Sequence, residues 1–164
     1  MSVWWKRFSA NTVIRPQETI PGQMNTRILV VDDHEIVRKG LCRLIGTRSD
    51  WHVCGEAGNG REAIEKASAL HPDLVLMDVS MPVMGGIEAT REIRRLFPAI
   101  RVVIISLHDS PAIVTQAKEA GAQAFFTKSG AAHELEQVIA AVVNGQADVE
   151  QSSRLNSAGT VFPI

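Results

Sequence analysis

Ile28-Leu29-Val30-Val31-Asp32-Asp33 is a run of four apolar residues closed by two carboxylates. The pattern recurs downstream. Leu74-Val75-Leu76-Met77 is closed by Asp78, Val102-Val103-Ile104-Ile105 by Ser106, and Phe125-Phe126-Thr127 is followed by Lys128. Uninterrupted apolar runs of strand length are what strands buried on both faces of a parallel sheet require, and ligands of such sheets sit outside the carboxyl ends of the strands. The five closing residues are therefore expected to meet in one crevice. Three carboxylates, one hydroxyl and one ammonium there suit a divalent cation, an acceptor carboxylate and a phosphoryl group.

Between these runs lie amphipathic stretches, so that apolar run and helix pattern alternate five times from Arg27 onward, as repeated βα units on a parallel sheet do. Strands are expected near 27–32, 51–57, 74–78, 101–106 and 123–127. The first helix, from about His34, carries Ile36, Val37, Leu41, Leu44 and Ile45 on one face. A second, near 60–70, stops at His71-Pro72, because a residue before proline avoids helical angles. A third, near 86–97, stops before Pro98. The fourth opens with Ser110-Pro111, a good cap and first-turn pair, and stops at Gly121; the fifth, about 133–144, stops at Gly145. Right-handed crossovers place helices on both faces, giving a three-layer α/β/α fold.

The chain has 164 residues, enough for one domain with loose ends. Residues 27–145 form that domain. Residues 1–26 read as an N-terminal extension, expected to be disordered, and 146–164 as a linker or C-terminal tail. Lys6 and Arg7 fall where a secretion signal needs apolar residues, and Pro16 and Pro21-Gly22 break any helix that follows. Cys42 and Cys54 lack metal-ligand spacing and read as small buried apolar residues of a reducing compartment. A cytoplasmic chain without a transmembrane segment is expected. Lys+Arg 17 against Asp+Glu 18 gives net charge -1, and there is no basic recognition helix, so direct nucleic-acid binding is not expected.

Val31-Asp32-Asp33, Met77-Asp78-Val79-Ser80-Met81-Pro82 with Gly85-Gly86, Ile105-Ser106 and Phe126-Thr127-Lys128 together resemble a response-regulator receiver domain of two-component signalling. Asp78-Val79-Ser80-Met81-Pro82 and Gly121 to Ser129 look most like the NarL/FixJ (LuxR-type) subfamily. The resemblance implies a flavodoxin-like, five-stranded parallel sheet of order 2-1-3-4-5. It implies Asp78 as phosphoacceptor and Mg²⁺ as cofactor, held by Asp33, Asp78 and the backbone carbonyl of Ser80, with Asp32 acting through a water. Such a ligand set suits Mg²⁺, which keeps several waters and takes few carboxylates. Without a cation, Asp32 and Asp33 crowd Asp78 with like charge. The Asp32-Asp33 pair would also serve as a cap for the first helix.

By the same resemblance Lys128 and Ser106 bind phosphoryl oxygens, and Ser106 forms a switch with Phe125. A hydrogen bond to a charged group is worth about 1.5–3 kcal/mol, and burying a Phe side chain about 1.5–3 kcal/mol. Their sum approaches the about 5.5 kcal/mol that carries a population from 1:99 to 99:1. Phe125 also reads as a permanently buried core residue. Ser80 and His108 stand where the phosphoryl lifetime is tuned, and Ser129 replaces a proline common after the lysine, leaving the Lys128-Ser129 peptide geometry open. Gly85 and Gly86 suit a tight loop.

The expected partners are a sensor histidine kinase or phosphotransfer protein and a phosphorylation-dependent homodimer, through the fourth helix, fifth strand and fifth helix or through the first and fifth helices. Arg38, Lys39, Arg43, Glu134 and Glu136 either contribute to such a surface or form solvated helix faces. The chain reads as the regulatory part of a transcriptional regulator without its DNA-binding domain here, or as a single-domain regulator. It is expected not to be an enzyme beyond slow self-dephosphorylation. Two alternatives stand beside it. One is an unphosphorylated pseudo-receiver interaction module; the other is an aspartyl-nucleophile phosphohydrolase, which needs a second acid where this chain has Ser80.

Overall fold

The computed structural model describes residues 25–145 and 159–162. The extension expected over 1–26, apart from its last two residues, lies outside the described residues, as do 146–158 and 163–164 of the tail. In chain order the elements are β1 (Thr26–Val31), α1 (Glu35–Ile45), β2 (Trp51–Ala57), α2 (Gly60–Leu70), β3 (Leu74–Asp78), α3 (Gly86–Leu96), β4 (Arg101–Ser106), α4 (Pro111–Glu119), β5 (Ala124–Thr127), α5 (Ala132–Val143) and β6 (Gly159–Val161).

The sheet has the order β2-β1-β3-β4-β5-β6, and its first five strands reproduce the expected 2-1-3-4-5 arrangement. Those five pair in parallel, whereas β6 pairs antiparallel with β5. The sixth strand adds to the expected sheet. Gly159-Thr160-Val161 lies in a polar segment without a period of its own, and the edge of β5 gives it a pairing partner.

Successive strand residues point to opposite faces, and the core divides accordingly. Ile28, Val30, Leu74, Leu76, Val103, Ile105 and Phe126 pack with the inner faces of α1 and α5. Leu29, Val31, Val75, Met77, Val102, Ile104 and Phe125 pack with α2, α3 and α4. The apolar runs are continuous because both faces are covered.

Local chemistry sets the helix ends. Asn59 accepts the Glu62 N–H at the start of α2, and Ser110 Oγ accepts that of Ile113 at the start of α4. His71 ends α2 in the left-handed region at φ 46°, and its N–H closes onto Ala67 O. The N-cap of α1 is His34 without a side-chain cap; Asp32 Oδ1 instead accepts the His34 N–H at 2.9 Å, one step ahead of the helix.

The loop from β3 to α3 turns differently from the expectation. Neither Gly85 nor Gly86 has a positive φ; Val83 does, at 68°, with Met84 N–H closing on Pro82 O at 2.7 Å, an i to i+2 turn. Gly86 is required for a different reason. A Cβ there would stand 1.8 Å from the carbonyl oxygen of Asp78.

Candidate functional site

The parallel register brings the ends of β3, β4 and β5 level. Asp78 stands beside Ile105, and Ser106 beside Thr127. Hydrogen bonds extend these pairings past the strands: Val79 N–H donates to Ile105 O at 3.2 Å and Lys128 N–H to Ser106 O at 2.7 Å. Asp32 follows β1 and donates its N–H to Ala57 O at 3.0 Å. The five residues that end the apolar runs therefore come from four neighbouring strands at one edge of the sheet.

Lys128 organises the cluster. Its Nζ lies 2.6 Å from Asp32 Oδ2 and 2.6 Å from Asp78 Oδ1, with the Lys128 side chain only 9% exposed. The second oxygen of Asp78 accepts the Ser80 N–H at 3.1 Å. Burial pushes the Asp78 carboxyl above the usual range; Lys128 pulls it back, but Asp32 and Asp33 push it further up, and the net direction is upward. Burial alone would lower the Lys128 ammonium, yet its bonds to Asp32 and Asp78 win and its net direction is also upward. One ammonium shared between two carboxylates neutralises neither fully. The charge balance leaves a place for further positive charge.

Asp33 adds a third carboxylate beside that place. Its Oδ1 is buried and accepts no well-directed hydrogen bond, although His34 Nδ1 is 2.9 Å away. Asp32, Asp33 and His34 each offer a ligand atom, all within 4.8 Å of one another. An orphaned carboxylate oxygen within an under-neutralised acidic cluster fits a hard divalent cation with oxygen ligands. Asp78 is not part of that three-residue group; its Oδ1 lies against Lys128 and its Oδ2 accepts the Ser80 N–H.

Ser106 is 2% exposed, and its Oγ accepts the His108 N–H at 3.1 Å, which fixes the hydroxyl at the rim of the cluster. Phe125 is likewise buried at 2%. Its inward burial is already present in this arrangement, so that contribution need not arise with a change of state. Ser80 and His108 are both exposed beside the cluster.

Two contributors are missed by reading the sequence alone. His34 touches both acids of the pair, and its only signal is its place directly after Asp32-Asp33. Arg38, expected on the surface, donates through Nη1 to the Asp32 carbonyl at 2.7 Å and through Nε to Glu56 at 3.0 Å. It ties α1 to the loop that carries the acids. Lys39 remains on the surface, paired with Glu35.

Residues 28–140 match the response regulator receiver domain family. Over 120 residues the chain is 42% identical to response regulator GacA of Pseudomonas viridiflava, covering 73% of this chain and 56% of that one. It is 37% identical over 127 residues to VraR of Staphylococcus saprophyticus, covering 77% and 61%. The chain thus spans little more than half the length of these curated relatives. Among solved structures, a LuxR-family response regulator from Aurantimonas sp. superposes with a TM-score of 0.71 at 44% identity, covering 74% of this chain and 86% of that one. The receiver domain of a NarL-type regulator from Mycobacterium tuberculosis does so with a TM-score of 0.71 at 36%, covering 74% and 98%.

Proposed function

Because the chain belongs to the response regulator receiver domain family, we propose that Asp78 is its phosphoacceptor, modified by a sensor histidine kinase or a phosphotransfer protein with Mg²⁺ present. The observation that carries this reading is the Lys128 ammonium held 2.6 Å from Asp78, next to an acidic cluster that it cannot neutralise alone.

An Asp78 carboxylate oxygen attacks the phosphorus of the donor. The bond from phosphorus to the donor nitrogen breaks, a carboxyl oxygen to phosphorus bond forms, and the donor imidazole leaves with its electron pair. Lys128 then moves its charge from Asp78 to a phosphoryl oxygen, and Ser106 gives up its contact to His108 to donate to another. Mg²⁺, when bound, supplies the positive charge that lets three carboxylates and a phosphoryl group coexist. Asp33, Asp78 and the Ser80 carbonyl would hold it, with Asp32 acting through a water and keeping its contact to Lys128. The arrangement suits one transfer followed by slow hydrolysis, with Ser80 and His108 exposed where water approaches the phosphoryl group.

The output is a change in partner binding or in homodimerisation. The chain acts in the cytoplasm, consistent with two free thiols; among the described residues no helix is long and apolar enough to cross a membrane. Incubation with a small phosphodonor and Mg²⁺ is expected to add one phosphoryl group per chain. Full incorporation into an Asp78→Asn variant would overturn the assignment. Continued release of phosphate from simple esters would favour the hydrolase reading instead, and absence of any Mg²⁺ or beryllofluoride binding would favour the pseudo-receiver.

A further inference from the structure

The segment Gly159–Phe162 is fitted to the edge of the sheet more closely than a passing tail needs to be. Val161 pairs with Ala124, Thr160 with Phe125 and Gly159 with Phe126. Beyond the strand, Phe162 N–H donates to Gln123 O at 2.7 Å. Val161 belongs to the core cluster that contains Leu135, Val138 and Val142 of α5, whereas Phe162 belongs to the one that contains Ala117 of α4 and Phe125 of β5, with Ile113 packed against it. Both Val161 and Phe162 are only 6% exposed. At Gly159 a Cβ would meet Val138 Cγ2 at 2.9 Å and Phe126 Cδ2 at 3.3 Å.

Each position thus answers to a feature of the surface: no side chain at 159, an aliphatic one toward α5 at 161, an aromatic one toward α4 at 162. Main-chain pairing gives such a site affinity, and alternate side chains give it selectivity. The seat also bears on α4, which among its nine residues buries only Ala117. Among the described residues, Phe162 lines an open cavity of about 540 Å³ together with Val114, Thr115, Lys118 and Glu119 of α4.

We propose that the outer edge of β5 with the facing sides of α4 and α5 is a strand-docking surface, that its occupant is the chain's own Gly159–Phe162 segment, and that docking opposes modification of Asp78. The last clause rests on the acceptor role proposed above. Its basis is that β5 carries the tail along its edge and Lys128 just past its end, and that its last residue, Thr127, pairs with Ser106. The tail is docked while Lys128 is closed on Asp78 and Ser106 Oγ is held by the His108 N–H. Drawing Ser106 and the start of α4 toward a phosphoryl group reshapes the wall against which Phe162 sits. A segment that fits one arrangement better than the other shifts the balance between them, and the coupling is reciprocal.

Amide hydrogen exchange on the full chain tests docking without reference to phosphorylation. Val161→Asp and Phe162→Ala should each raise exchange at residues 123–127 by about tenfold or more, because a strand edge opens more readily once the packing that covers it is weakened, while β1 and β3 keep their protection. Unchanged protection of β5 in both variants overturns docking. A synthetic peptide of residues 157–164 added in trans should bind the Phe162→Ala chain and be largely excluded from the parent chain; no binding to either, or equal binding to both, also overturns it. For the coupling, beryllofluoride with Mg²⁺ is followed by fluorine NMR. Phe162→Ala should bind it about fivefold or more tightly than the parent, within the usual span of allosteric coupling. Equal binding overturns the coupling and leaves the acceptor role standing, whereas no beryllofluoride binding by any chain overturns the acceptor role while the exchange result still judges docking.

Discussion

Lys128 Nζ and Asp78 Oδ1 stand 2.6 Å apart at the ends of two strands that are not neighbours, with β4 between them. The ammonium spans that gap because its backbone is pinned to Ser106 O, and it ends against a second acid, Asp32. Replacing it leaves two buried carboxylates without a cation.

Lys128→Met should therefore lower stability near neutral pH. Removing one partner of a buried pair costs about 3–5 kcal/mol, and the loss is smaller here because Asp78, whose proton affinity is already raised, takes up a proton in response. The Lys128 ammonium has a folded-state pKa above its ordinary 10.5. Its stabilisation is thus complete below that value and is lost as pH rises through the folded-state value. Urea unfolding at several pH values should show parent and variant converging in strong alkali, and, through Asp78 protonation, drawing closer in acid.

Asp78→Asn should have the opposite sign. The Asp78 pKa is raised above 3.8, so its favourable contribution is complete below 3.8 and declines as pH rises through the folded-state value. An amide imitates the protonated form at every pH. Without metal near neutrality the variant should melt above the parent, each kcal/mol being worth about 2–4 °C for a chain of this size. Mg²⁺ should reverse the ranking, since a ligand at 100 times its Kd adds about 2.7 kcal/mol to whichever chain binds it. Calorimetry with chelator and with Mg²⁺ reads both arms.

Val83→Asn should stabilise. A β-branched residue at φ 68° is strained by about 1–3 kcal/mol, and asparagine adopts positive φ several-fold more readily than most non-glycine residues. Val83 is 79% exposed, so little burial is lost. A gain of about 1 kcal/mol in urea unfolding is expected; a loss would mean that the valine contributes through packing that its exposure does not suggest.

Cys42 should resist thiol reagents in the native chain. Burial pushes its thiol up to about 12, with Glu56 adding to the rise, and burial raises Cys54 as well. Since the thiolate is the nucleophile, Cys42 labelling should be slower than that of an ordinary cysteine by about a thousandfold at neutral pH. Denaturant should restore it, and rapid native labelling of Cys42 would contradict its half-buried position on α1 against the core.

Much of this is legible in the chain because burial on both faces writes itself as an unbroken apolar run, and the polar residue that ends each run must lie at the sheet's carboxyl edge. Asp32, Asp78, Ser106 and Lys128 are found that way. What stays hidden depends on neighbours remote in sequence. That Lys128 divides itself between Asp32 and Asp78, that Arg38 turns inward to the Asp32 carbonyl, and that Gly159–Val161 finds β5 are all tertiary choices. No local period announces them. The loop after β3 illustrates the same limit at short range: two glycines signal a tight turn, yet the turn falls on Val83 and Gly86 is needed for clearance.

That clearance has a mechanical side. The first turn of α3 and the Asp78 peptide touch backbone to backbone, and Gly86 N–H is at the same time held to Val79 O at 2.9 Å. Packed side chains have rotamers that absorb a displacement; two abutting main chains have none. The strand end bearing the central carboxylate and the helix that follows it are thus joined without play, and a shift of one by a fraction of an ångström is a shift of the other.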